Sequence, residues 1–128
     1  MPDYRITKQQ FGLFKREVLR WIREFGLMEY DVEVRLQRPA KTNASADTEW
    51  SMSGRWCIFR LAPVWPRNPI PREIKYTAFH EVMHLLLAPM CHEGMCRYTS
   101  RDTMDEVEEG IVVRLENFFR RVVMKEKP

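Results

Sequence analysis

His80, Glu81 and His84 occur as His-Glu-Val-Met-His within Tyr76–Leu87, a run that reads as an apolar-flanked helix. Two histidines four apart project from one helix face about one turn from each other. Both imidazoles can then reach a single Zn²⁺ at roughly 2.0–2.1 Å. A glutamate next to the first histidine lies beside that ion, where it can take a proton from a metal-bound water. The alternative is a pair of core histidines satisfied by hydrogen bonds, with Glu81 on the surface. It is disfavoured because the chain has three histidines and two fall in this pattern.

A catalytic zinc generally takes a third protein ligand. His92 is the remaining histidine, eight residues past His84 and beyond Pro89, an awkward reach. A carboxylate from the last helix is the better candidate. Five acids crowd positions 102–109: Asp102, Asp105, Glu106, Glu108 and Glu109. The helix dipole accounts for acids in the first turn. Glu108, however, lies toward the face carrying Val107, Ile111, Leu115, Phe118 and Val122, expected to be the core side. A carboxylate aimed at a core needs a partner, so Glu108 is the expected third ligand. Glu109, Asp105 and His92 stay open as alternatives.

These residues must be positioned by a small frame. Phe11, Phe14, Val18, Ile22 and Phe25 make one face of a first helix, with Thr7 and Gln10 as a capping box and Gly26 as its stop. Tyr30–Leu36 alternates as a half-buried strand. Asn43–Trp50 alternates weakly, and Arg55–Leu61 is a branched and aromatic strand. The three are expected in meander order. Ala62–Pro71 holds four prolines and reads as a stiff connector without regular structure. Pro71 opens the His-Glu helix and Pro89 closes it. Met90–Arg101 reads as a loop and 102 to about 125 as a helix. The expected class is α+β in a single domain over 1–128: an N-terminal helix, a small antiparallel three-stranded sheet, the His-Glu helix and a glutamate helix.

The segments TAFHEVMHLLLAP and EEGIVVRLENFF resemble the gluzincin side of the zincin metallopeptidases. The short length and element order resemble minimal gluzincins and the small metallopeptidase-like proteins of phages and bacterial mobile elements. The resemblance spans about residues 5–125, and His-Glu-x-x-His is its specific part. It implies a zinc hydrolase of peptide bonds with Glu81 as general base and a protein or peptide substrate. It also implies that a strand bordering the cleft, with Arg55–Leu61 the candidate, pairs with extended substrate. Tyr98 and Arg97 are the residues the resemblance offers for steadying an oxyanion. Larger gluzincins carry an Asp four residues after the ligand Glu, which orients a zinc histidine; here Val112 stands there, so the resemblance leaves that role to Asp105 or Asn117, or leaves it missing. Two other readings remain: a catalytically silent zinc-binding regulatory or interaction module, and a SprT-like DNA-associated protease.

Composition narrows the rest. At 128 residues, 45% hydrophobic and 30% charged, the chain can bury a core and is not a disordered polyelectrolyte. No apolar run reaches the ~18–20 residues of a membrane span. The N-terminal residues show no signal-peptide pattern, so a cytoplasmic location is expected (the host's, if the origin is a phage). Three cysteines, Cys57, Cys91 and Cys96, read as reduced thiols and not as a disulfide or zinc framework. Residues 1–70 carry 12 basic and 8 acidic groups, a net of +4, and residues 71–128 carry 9 and 10, a net of −1. An ordinary solvated surface is the expected meaning, with neither nucleic acid nor membrane the expected partner.

Overall fold

A computed structural model describes residues 3–41, 43–95 and 100–124, the side chains of 93, 95 and 122 apart. The class is α+β. The elements run β1 (Tyr4–Arg5), α1 (Lys8–Glu24), β2 (Asp31–Leu36), β3 (Ala46–Ser51), β4 (Trp56–Leu61), β5 (Val64–Trp65), α2 (Pro71–Leu86), α3 (Ala88–Met95) and α4 (Arg101–Phe118), the last running into a π-helical turn, Phe119–Val123.

Helix α1 begins where its capping chemistry dictates. Thr7 Oγ1 accepts from Gln10 N at 3.1 Å, and Gln10 Oε1 accepts from Thr7 N at 2.9 Å. Gly26 takes φ +67° just past the end, the left-handed conformation that favours glycine. Phe14, Val18, Trp21 and Ile22 are buried against α2 and the sheet.

The sheet is mixed, not an antiparallel meander. Its order is β2-β4-β3, with β2 parallel to β4 (Asp31↔Trp56 to Leu36↔Leu61) and β3 antiparallel to β4 (Ala46↔Leu61 to Ser51↔Trp56). The physical reason lies in the side chains. Cys57, Phe59 and Leu61 of β4 are fully buried, whereas β2 and β3 carry Asp31, Glu33, Asp47 and Glu49. The most apolar strand takes the centre, and the charged ones take the edges. Arg60 of β4 pairs across to Asp47 (3.2 Å) and to Glu49 of β3. Arg55–Leu61 therefore cannot be the cleft-bordering edge that the resemblance implied.

The proline-rich connector also holds more order than expected. Val64 and Trp65, the two residues between Pro63 and Pro66, pair with Arg5 and Tyr4. Pro63 cannot donate, but its carbonyl accepts from Ile6 N at 2.9 Å.

Three departures concern the helices. Helix α2 ends at Leu86, before Pro89. Pro89 instead sits in the first turn of α3, where a missing N–H costs nothing. Part of the expected loop is thus helical. Helix α4 is rotated from its expected phase. Val112 and Phe119 are buried, whereas Val107 is 49% and Phe118 51% exposed. Val122 falls outside the described side chains. The rotation is about 90° at 100° per residue. Its cause is visible in the partners: Phe119 stacks on Phe79 of α2 at 4.2 Å and meets Trp21 of α1 edge-on at 4.9 Å. That cluster fixes how α4 faces α2. No helix among the described residues is long and apolar enough to cross a membrane.

Candidate metal centre

The site lies between α2 and α4, with β3 along its side. His80 and His84 stand one turn apart on α2, their ring centroids 5.0 Å apart. One ligand atom from each of His80, Glu81 and His84 falls within 4.8 Å of the others. This is the spacing argument realised in three dimensions.

Each imidazole meets a carboxylate at both nitrogens. His80 Nδ1 is 2.7 Å from Glu116 Oε2, and its Nε2 is 2.9 Å from Glu109 Oε1. His84 Nδ1 is 2.6 Å from Glu108 Oε2, and its Nε2 is 3.1 Å from Glu109 Oε2. The two Nε2 atoms thus converge on one carboxylate, that of Glu109, while separate glutamates hold the two Nδ1 atoms. Helix α4 supplies all three acids: Glu109 and Glu116, seven residues apart, lie two turns apart on nearly one line, and Glu108 is about 100° round the helix from Glu109.

Further contacts hold the outer carboxylates. Cys91 of α3 donates its thiol to Glu108 Oε1 at 2.8 Å. Arg120 donates to Glu116 Oε1 at 2.9 Å. Thr48 of β3 donates to Glu81 Oε1 at 2.6 Å and also lies 3.0 Å from the Glu81 carbonyl. A cavity of about 900 Å³ opens over Thr48, Glu81, both histidines, Glu108 and Glu109. A second of about 420 Å³ continues past His80 along Tyr76, Glu116 and Arg120.

The electrostatics follow from this enclosure. Burial pushes both imidazoles down, but the Glu116 hydrogen bond for His80, the Glu108 bond for His84 and the surrounding carboxylate charges outweigh it. The net shift of each is upward. Burial raises the Glu81 carboxyl despite His84, Thr48 and His80 pulling it down. Glu108 is held below the usual carboxylate range: burial raises it, but the His84 and Cys91 hydrogen bonds prevail. Burial, reinforced by Glu108, pushes the Cys91 thiol up to about 12.

An imidazole can satisfy carboxylates at both nitrogens in two ways. It can carry two protons, or it can donate from Nδ1 and bind a cation at Nε2. Two ligands at roughly 2.0–2.1 Å from a tetrahedral zinc stand about 3.3 Å apart. The 2.9 and 3.1 Å Nε2–Glu109 separations are close to that value. The donor set, two imidazoles and a carboxylate with an acid or base alongside, is one zinc accepts.

Of the remaining candidates, Asp105 is exposed on the cavity wall. His92 of α3 meets the Trp50 ring edge-on at 6.4 Å and is not part of the convergent group. Asn117 is exposed. Tyr98, Arg97 and Cys96 lie outside the described residues. Cys57 and Cys91 are free thiols. Sequence reasoning missed Glu116 because it sought an orienting acid one turn past Glu108. The usable signal was two turns away, at i+7 from Glu109. Thr48 carried no signal in a weak strand. The chain matches no known family model, no curated protein and no solved structure.

Proposed function

We propose that the chain is a zinc-dependent metallopeptidase of zincin type, with a protein or peptide substrate. One observation carries this reading: both imidazole Nε2 atoms converge on the Glu109 carboxylate while both Nδ1 atoms are held by other carboxylates. His80, His84 and Glu109 would hold the metal. That choice replaces Glu108 as the favoured third ligand, since Glu108 sits on the far nitrogen of His84. Glu108 and Glu116 then orient the two histidines and raise their basicity.

Zinc, when bound, would supply Lewis acidity toward the scissile carbonyl and toward water. The chain's own residues do the rest. Glu81 is buried beside the metal ligands with its carboxyl shifted upward, as a proton acceptor working near neutral pH requires. It would take a proton from the attacking water and hand it to the leaving amine. Thr48 fixes Glu81 Oε1 and leaves the second oxygen for that transfer. β3 bonds β4 on one side only and lines the cavity, so this strand replaces Arg55–Leu61 as the one to pair with extended substrate.

The test is Glu81→Gln beside the parent, with zinc content by elemental analysis and cleavage scored on a broad peptide library. We expect one zinc per chain in both, and cleavage by the parent alone that a chelator abolishes. Full activity in Glu81→Gln would refute the mechanism. Stoichiometric zinc with no cleavage by the parent would instead favour the silent binding module.

A further inference from the structure

The outward face of α1 is a continuous band of cations. Lys8, Lys15, Arg16, Arg20 and Arg23 are all exposed. At 100° per residue they occupy about 140° of the helix circumference, opposite the buried Phe14, Val18, Trp21 and Ile22. The band runs about 22 Å from Lys8 to Arg23 at 1.5 Å per residue.

Little in the fold explains the band. Arg20 contacts Glu17 at 3.5 Å and lies over the Trp21 ring. Among the described residues, Lys8, Lys15, Arg16 and Arg23 have no carboxylate partner. The first turn contains no acid, so Lys8 sits against the positive end of the helix dipole. Arg16 and Arg20 are a like-charge pair at i,i+4, which weakens a helix. Five cations against two carboxylates give this one helix a net of +3, most of the +4 carried by residues 1–70. A count over half the chain spreads that charge thinly, whereas the fold gathers it on one side.

We infer that this face of α1 binds the phosphate backbone of duplex nucleic acid. The apolar side of the helix is already committed to the core, so no wedge is free to enter a bilayer as an interfacial helix requires. Leu19 is the one large apolar side chain inside the band, too little for the aromatic or aliphatic centre of a protein interface. What remains is five cations gathered on one side of a rigid rod, the complement of a polyanion. The inference uses no metal-site residue and stands or falls apart from the peptidase reading.

The test is anisotropy titration of a labelled 20-base-pair DNA duplex of arbitrary sequence against the full chain. Four phosphate contacts predict a slope of about −3.6 in log K against log salt, and so roughly a 150-fold loss between 50 and 200 mM. Lys15→Glu/Arg16→Glu/Arg23→Glu should abolish measurable binding while leaving zinc content and circular dichroism unchanged. Should that triple variant fail to fold, Arg16→Gln/Arg23→Gln should lower the slope by about 1.8. Arg16→Lys/Arg23→Lys should keep it. No duplex binding at 50 mM, binding indifferent to the reversed charges, or tighter binding to phosphatidylserine vesicles than to duplex would each overturn the inference.

Discussion

Removing Glu109 and removing Glu108 should have different consequences for zinc, although the residues are neighbours in sequence. Glu109 Oε1 and Oε2 face the two Nε2 atoms at 2.9 and 3.1 Å, so on the proposed reading Glu109→Ala would delete a metal ligand. Full zinc sites bind with about 10–16 kcal/mol, or about 2.5–4 kcal/mol for each of four ligands. At 1.4 kcal/mol per decade the variant should lose roughly 10²–10³-fold in affinity. Glu108 Oε2 meets the far nitrogen of His84 at 2.6 Å, so Glu108→Ala frees the ring but leaves every ligand in place. Losses of this kind run about 10–100-fold. Competition titration against a chromophoric chelator at one fixed pH measures both. An equal or larger loss in Glu108→Ala would return Glu108 to the metal and refute the assignment.

Two further outcomes test the fold and its charge. Val112→Ser should cost about 2–3 kcal/mol in chemical denaturation and Val107→Ser under about 0.5, because only Val112 is buried; the reverse order would restore the phase expected from sequence. In chelator-treated protein His80 and His84 titrate above the ordinary value of about 6.5, so their stabilisation is complete below that pH and is lost as pH rises through the folded values. Melting temperature should therefore fall from pH 6 towards pH 9, and a rise across that range would contradict the carboxylate–imidazole pairing.

What could be read from sequence divides along physical lines. Local signals held: the Thr7–Gln10 cap, Gly26, Pro71 at the start of α2 and the His80–His84 pair each depend on neighbours within a turn or two. Strand pairing did not follow, because β3 is laid down one place away from β2 and β4 then fills the gap, parallel to β2 and antiparallel to β3, whereas hairpin order is the simpler extrapolation. The phase of α4 was misread because its hydrophobic residues outnumber its contacts. Val107 and Phe118 look like core but are left outside when Phe119 enters the aromatic cluster. Glu108 does turn toward α2, and its Oε2 meets the outer nitrogen of His84. Which of two adjacent glutamates meets which atom is decided at the ångström scale by helix–helix docking, beyond the reach of periodicity.

The sparse burial of α4 has a mechanical consequence. Val112 is its one buried residue, and Phe119 follows in the turn beyond. Much of what fastens this helix to the body is therefore ionic: three glutamates reaching for two imidazoles. Strip the positive charge from that seam and the three acids of α4 lose their partners and face Glu81 of α2, with few hydrophobic rivets to resist. If the proposed zinc binds, the helix would be at once a chelating arm and a latch. Its undocking would expose Phe79 and Trp21 to solvent, so charge at the site decides whether the aromatic core beneath stays dry.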